Sequence, residues 1–298
     1  MAVYPFTGTG VAIITPFKND GSIDFHSLEN LINYDIENGV DYIVALGTTG
    51  ESVTLSKEEK EALINFIIEK VDKRVPLVVG LGGNNTDEVV NCIHKLEFDG
   101  IDGILSVCPY YNKPSQEGIY QHYKSIASVS PVPLILYNVP GRTGVNIQAD
   151  TALRLAQIDN ICAIKEASGN LPQVMKIIKN KPSDFLVVSG EDVFTLPIIA
   201  AGGNGVISVI ANAMPKSFST MVKKALNNET KEAAKINLQL LEIYENLFAE
   251  GNPAGVKAAL NILGIIHENL RLPLVPVSKT TKDKLKKLIK QKHFSEVV

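Results

Sequence analysis

Short, continuously apolar runs rich in Val, Ile and Leu alternate along the chain with longer segments of helical period. The runs are VAII (11–14), YIVAL (42–46), PLVVG (76–80), GILSV (103–107), PLILY (133–137), ICAIK (161–165), FLVVS (185–189) and GVISV (205–209). None alternates cleanly between apolar and polar positions, which is the pattern of strands covered on both faces in a parallel sheet. The segments between them carry helix punctuation. Ser56 and Glu59 have capping-box spacing ahead of a helix from Lys57, and Pro172 and Pro215 suit first helical turns. Three strands are entered through a glycine, in NGVDYIVAL, DGIDGILSV and GGNGVISVI, where a left-handed residue would end the preceding segment.

Eight strand-then-helix units predict an α/β fold, a (β/α)8 TIM barrel, with a doubly wound open sheet as the alternative. The open sheet is the weaker of the two. GTGVAII precedes a strand and GLGGNNT lacks the GxGxxG spacing, so a dinucleotide fingerprint is missing. The strand pattern stops after residue 226, and 230–249, 253–264 and 278–292 read as helices. The expected organisation is a catalytic barrel over 1–226 and a C-terminal helical appendage over 227–298. The last helix is basic on its exposed face, as solvated terminal helices commonly are.

Composition narrows the class. With 45% hydrophobic and 20% charged residues in 298, the chain can build a large core and is not disordered. A net charge of −3 without a run of five like charges leaves no basic stripe for a nucleic-acid backbone. The N-terminal MAVYPFTGTGVAIITPF is apolar but broken by Pro and Gly and has no basic leader. The reading is a cytoplasmic protein with neither nucleic acid nor membrane as partner. Cys92, Cys108 and Cys162 lack CxxC spacing and read as reduced thiols, the last two as core filler. His26, His94, His122, His267 and His293 fall in helix-like surroundings with no pair at ligand spacing, so no metal is expected.

In a barrel the chemistry belongs at the C-terminal strand ends. The second strand is followed by GTTGES (47–52), the fourth by CPYYNKP (108–114), and the fifth runs into YNVPGRTG (137–144); the sixth ends on Lys165 and the seventh is followed by SGED (189–192). Strict alternation puts Ile161, Ala163 and Lys165 on one face and Cys162, Ile164 and Glu166 on the other. If Lys165 faces the barrel mouth, its apolar strand desolvates the amine, a setting suited to attack on a carbonyl and a Schiff base. The alternative is a strand-end lysine that packs its stem and reaches water.

The neighbours bear on that choice. Tyr137 shares the face of Ile135 and could pass a proton near Lys165 or serve as a half-buried anchor. Arg142, between Gly141 and Thr143, suits a substrate carboxylate or solvent equally. Thr48 and Thr49, bracketed by glycines, could bind a carboxylate or relay a proton, or form an ordinary turn before a helix. Tyr110 and Tyr111 are adjacent loop aromatics of the kind found in lids and interfaces. Taken together, the set favours carbonyl chemistry on a small anionic substrate.

In this order on an eight-strand pattern, GTTGES, PYYN, YNVPGRTG, IKEASG and SGED…GGNGVISV resemble the pyruvate-dependent class I aldolase family over essentially the whole chain. The resemblance implies that Lys165 forms an imine with pyruvate with no other cofactor. It implies that Tyr137, Thr48 and Tyr111 relay protons, that Thr49 helps hold the pyruvate carboxylate, and that Arg142 binds the carboxylate of L-aspartate 4-semialdehyde. Gly190, Glu191 and Ile207 would line the pocket, Ile207 through its backbone carbonyl. A homo-oligomer is implied, with Tyr111 lent by a neighbouring subunit and dimers commonly paired into a tetramer.

The implied activity is condensation of pyruvate with the semialdehyde on the route to diaminopimelate and lysine. Competing activities are those of N-acetylneuraminate lyase and 2-keto-3-deoxy-gluconate aldolase; Arg142 with the Tyr110–Tyr111 pair favours the condensation. A non-catalytic barrel that binds a small keto or amino acid is a further alternative. Lysine-inhibited members bind their end product in a cleft matching Ser52, Lys57, Lys60, Asn84, Glu88 and Tyr110. Lys57 and Lys60 stand where sensitive enzymes often have histidines, and two ammonium groups repel a cation. Weak or absent feedback by lysine is therefore expected.

Overall fold

A computed structural model describes residues 4–290. Its eight strands are parallel and close into a barrel in chain order, which excludes the open sheet. They are β1 (Gly8–Ala12), β2 (Tyr42–Ala45), β3 (Leu77–Gly80), β4 (Gly103–Val107), β5 (Leu134–Asn138), β6 (Ile161–Glu166), β7 (Leu186–Ser189) and β8 (Gly205–Ser208). Around them run α1 (Phe25–Glu37), α2 (Lys57–Val71), α3 (Thr86–Lys95), α4 (Gln116–Val129), the short α5 (Pro140–Thr143), α6 (Ala149–Leu155), α7 (Leu171–Asn180), α8 (Thr195–Ala200) and α9 (Pro215–Leu226). The Ser56–Glu59 capping box forms as the spacing predicts, and Pro172 and Pro215 lie in the first turns of α7 and α9.

Seven strands fall within a residue of their expected bounds; β1 begins three residues early. Gly8 and Gly10 look like loop residues in sequence, yet both pair with β8. At Gly10 a Cβ would stand 2.3 Å from the Tyr42 ring, and that ring occupies the barrel interior in its place, its hydroxyl donating to the Val206 carbonyl at 3.1 Å. Glycine here is the counterpart of a large residue on the next strand.

The core has an inner and an outer part. Inside the barrel Ala12, Tyr42, Val44, Val78, Ile135, Ala163, Val188 and Ile207 form one cluster. Between sheet and helices lie two more, one under α3, α4, α6 and α7 and the other under α1, α2 and α9. Cys162 belongs to the inner cluster and Ile161 to the outer, the reverse of strict alternation. The cause is a bulge. Leu134 pairs with Ile161 but Ile135 with Ala163, so Cys162 is the extra residue and alternation restarts at Ala163.

Beyond α9 come α10 (Thr230–Gln239), α11 (Leu241–Phe248), α12 (Ala254–Ile262) and α13 (Lys279–Ile289). The expected 230–249 helix is thus two, divided at Leu240. The final helix ends at Ile289; positions 291 and 292 of the expected span lie outside the described residues. His26, His94 and His122 are helical, His267 lies between α12 and α13 outside any helix, and His293 is outside the described residues. Val256, Leu260, Leu285 and Ile289 join the hydrophobic cluster of β1, α1 and α2. At about 1.5–3 kcal/mol per buried side chain, that seam fastens the appendage to one flank of the barrel.

Candidate active site

Lys165 and Glu166 are adjacent, both almost fully buried, and face opposite ways. The Lys165 ammonium lies over the Tyr137 ring, 4.3 Å from its centroid, and the two residues pair directly across β5 and β6. Glu166 points into the helix layer. It accepts from Asn138 Nδ2 (3.0 and 3.2 Å), Gln173 Nε2 (2.9 Å) and the Ser168 N–H (2.9 Å). Burial pushes its carboxyl above the usual range, and the hydrogen bonds from Gln173, Ser168 and Asn138 pull the other way. Glu166 is therefore committed to tying β5, β6 and α7 together and is not the lysine's counter-ion.

The lysine's other wall is Gly190, at the end of β7. A Cβ there would come 3.1 Å from Lys165 Cε and 2.7 Å from Ala167 Cβ, so the side chain lies in space that only glycine leaves. Glu191 goes elsewhere. With Glu166, Gly169, Asn170, Leu171, Val174, Phe194 and Ile198 it lines a cleft on the outer side of the sheet, and burial followed by the nearby Glu166 charge raises its carboxyl. Ile207 is fully buried in the inner cluster with Tyr137 and Val188.

Sequence reasoning passed over Asp192. Its buried carboxylate accepts the N–H groups of Val209 (3.2 and 3.3 Å) and Ile210 (2.9 Å), fixing the turn that follows Ile207. Burial raises its carboxyl, while the hydrogen bonds and, more weakly, the Lys165 charge favour the ionised form. The second acid of SGED was the available signal.

Thr48 and Thr49 ride on the loop that leaves β2. Thr48 is half-buried; Thr49 is buried, and its hydroxyl oxygen accepts from Asn252 Nδ2 at 2.9 Å. Gly50 is held by Thr15, whose hydroxyl donates to its carbonyl at 2.7 Å. Arg142 is exposed in α5, close after Tyr137.

Tyr111 is not brought to Lys165 within the chain. It is 88% exposed, on the β4–α4 loop, with a left-handed φ of 72°. Tyr110 is 37% exposed and its carbonyl accepts from Asn84 Nδ2 at 3.2 Å. Ser52 sits in a single 3-10 turn, Lys57 and Lys60 in the first turns of α2, and Glu88 in the first turn of α3. Among the described residues no group of three His, Cys, Asp or Glu could hold a metal ion, and no helix is long and apolar enough to cross a membrane.

The model of the dihydrodipicolinate synthetase family matches residues 5–292. The chain belongs to the dihydrodipicolinate synthetase family. The relatives agree in extent as well as in sequence. A 4-hydroxy-tetrahydrodipicolinate synthase from Parabacteroides distasonis is 52% identical over 292 residues, 98% of each chain. The crystal structure of dihydrodipicolinate synthase from Thermotoga maritima superposes with a TM-score of 0.95 at 42% identity, covering 98% of this chain and 100% of that one. A monomeric dihydrodipicolinate synthase variant also gives 0.95 at 42% identity, covering all of both chains. Membership of the dihydrodipicolinate synthetase family takes in the helices after α9 as well as the barrel.

Proposed function

We propose that this chain is a cytoplasmic lyase that condenses pyruvate with L-aspartate 4-semialdehyde to give 4-hydroxy-tetrahydrodipicolinate, supplying diaminopimelate and lysine synthesis. The observation that carries the reading is Lys165, buried at a barrel strand end against Tyr137 and Gly190 while its neighbour Glu166 is bonded elsewhere. The Lys165 amine adds to the keto carbon of pyruvate and water leaves, giving an imine. A methyl proton then departs, and the enamine carbon attacks the aldehyde of the second substrate. The substrate's own amine adds to the imine carbon, closes the ring and releases Lys165.

No further cofactor enters this scheme, because the imine nitrogen is the electron sink. Tyr137, Thr48 and Tyr111 carry the protons, Tyr137 with its ring against the nucleophile. Thr49 donates to the pyruvate carboxylate, and the exposed Arg142 takes the carboxylate of the semialdehyde. Gly190 leaves room for the imine and the Ile207 carbonyl completes the surroundings, while Glu191, in the cleft on the outer side of the sheet, takes no part. Tyr111, left-handed and 88% exposed, serves the site of a neighbouring subunit, so the working form is a homo-oligomer, a dimer paired into a tetramer.

A steady-state assay checks the reading: pyruvate with aspartate semialdehyde turns over, while N-acetylneuraminate and 2-keto-3-deoxy-gluconate are not cleaved. Turnover of either sugar acid in place of the condensation contradicts it. Adding lysine to the same assay tests the cleft of Ser52, Lys57, Lys60, Asn84, Glu88 and Tyr110. With two lysines there, inhibition is weak or absent; strong inhibition at sub-millimolar lysine rejects that expectation.

A further inference from the structure

Lys257 is a lone charge in the apolar helix AGVKAALNI, and it is fully buried. Its ammonium donates to Glu51 Oε1 at 2.5 Å and to the Asn269 carbonyl at 2.9 Å. Glu51 is equally buried and also accepts the Arg271 backbone N–H at 3.1 Å. Phe17 packs beneath both cations, 4.2 Å from the Lys257 ammonium and 4.5 Å from the Arg271 guanidinium. We infer that this buried pair is a positioning device: through it the C-terminal helices hold the Thr48–Thr49 loop in the shape that binds pyruvate. The inference rests on the function proposed above.

Stability alone does not account for the pair. A buried ion pair loses its hydration, and well-packed apolar residues of similar volume usually serve folding as well or better. What the pair grips is a loop in an unfavourable shape. Leu46 and Glu51, at its two ends, both adopt left-handed backbone (φ 54° and 51°), a region that side-chain-bearing residues avoid unless held. The Leu46 end is held by the barrel, where its carbonyl lies so close to Gly80 that a Cβ there would be 2.4 Å away. The Glu51 end is held from the appendage, by Lys257 and Arg271.

Between these ends, Asn252 of the same appendage donates to Thr49, which leaves the threonine's own proton to give to a carboxylate. Both interactions come from the segment just before or within α12, whose first turn packs so tightly on α11 that a Cβ at Gly255 would reach 2.1 Å from the Leu247 carbonyl. Rigid packing at that turn therefore transmits to the loop.

The test compares K257M and E51Q with a control, L285A, which removes a fully buried side chain from α13 away from the loop. In each protein the Michaelis constants for both substrates and the melting temperature are measured, and pyruvate is trapped on Lys165 with borohydride. K257M and the isosteric E51Q are expected to raise the KM for pyruvate by about tenfold, with L285A leaving it at the wild-type value despite a lower melting temperature. Partial unfolding lowers the apparent kcat and leaves KM alone. A rise below about threefold in both variants overturns the inference, as does an equal rise in L285A. If the wild type itself yields no Lys165 adduct, the proposed function falls as well; an adduct with unchanged KM in the variants removes the positioning role alone.

Discussion

At the scale of single residues, the answer to why a buried strand ends on an ammonium group is that its neighbour does not neutralise it. Glu166 is bound by Asn138, Gln173 and Ser168 on the far side of the sheet, and Lys165 is left against an aromatic ring and a glycine. That opposition was legible from strand alternation near Lys165. Gly190 was legible only as a member of a motif, because its use depends on a lysine on another strand. Adding one methyl there is a sharp probe. Gly190→Ala is expected to displace Lys165 and lower kcat/KM for pyruvate by about tenfold or more, at an overpacking cost of about 1–3 kcal/mol seen in thermal melts. Wild-type kinetics in that variant would mean that the lysine does not work from the position described.

At the scale of elements, two places where sequence patterns failed share a cause: each depends on a partner on another strand. Gly10 of β1 reads as loop because its strand character comes from Tyr42 filling the interior. The bulge at Cys162 is invisible in ICAIK, since it is a property of pairing with β5. Leu240 divides what periodicity joins. In α1 the amphipathic pattern hides Asp35, which is fully buried with neither carboxylate oxygen hydrogen-bonded among the described residues. Burial raises its carboxyl well above the ordinary value of 3.8.

The sign of the consequence follows from linkage. A carboxyl raised in the folded state contributes stability that is complete below its unfolded pKa and is lost as pH rises towards the folded one. Asp35→Asn removes that dependence. The stability of the variant relative to wild type should therefore increase between about pH 5 and about pH 8 in denaturant titrations. A difference that stays flat with pH would show that Asp35 is ionised in the native protein.

At the scale of the molecule, the eight strand-then-helix units were enough to expect a barrel, and the motifs that follow the strands were enough to say where its mouth lies. The tie between barrel and appendage was not. Glu51 stood in view within GTTGES, and Lys257 interrupted an apolar helix, yet nothing local joins residues 206 apart. The family match over 5–292 takes in the helices after 226, and residues of α12 and α13 share a hydrophobic cluster with the barrel. The proposed chemistry starts from one amine, that of Lys165. The most direct measurement is borohydride reduction in the presence of pyruvate, followed by peptide mass mapping. A single reduced pyruvate adduct is expected on Lys165, absent without pyruvate; no adduct, or one on another lysine, would mean that the imine does not form there.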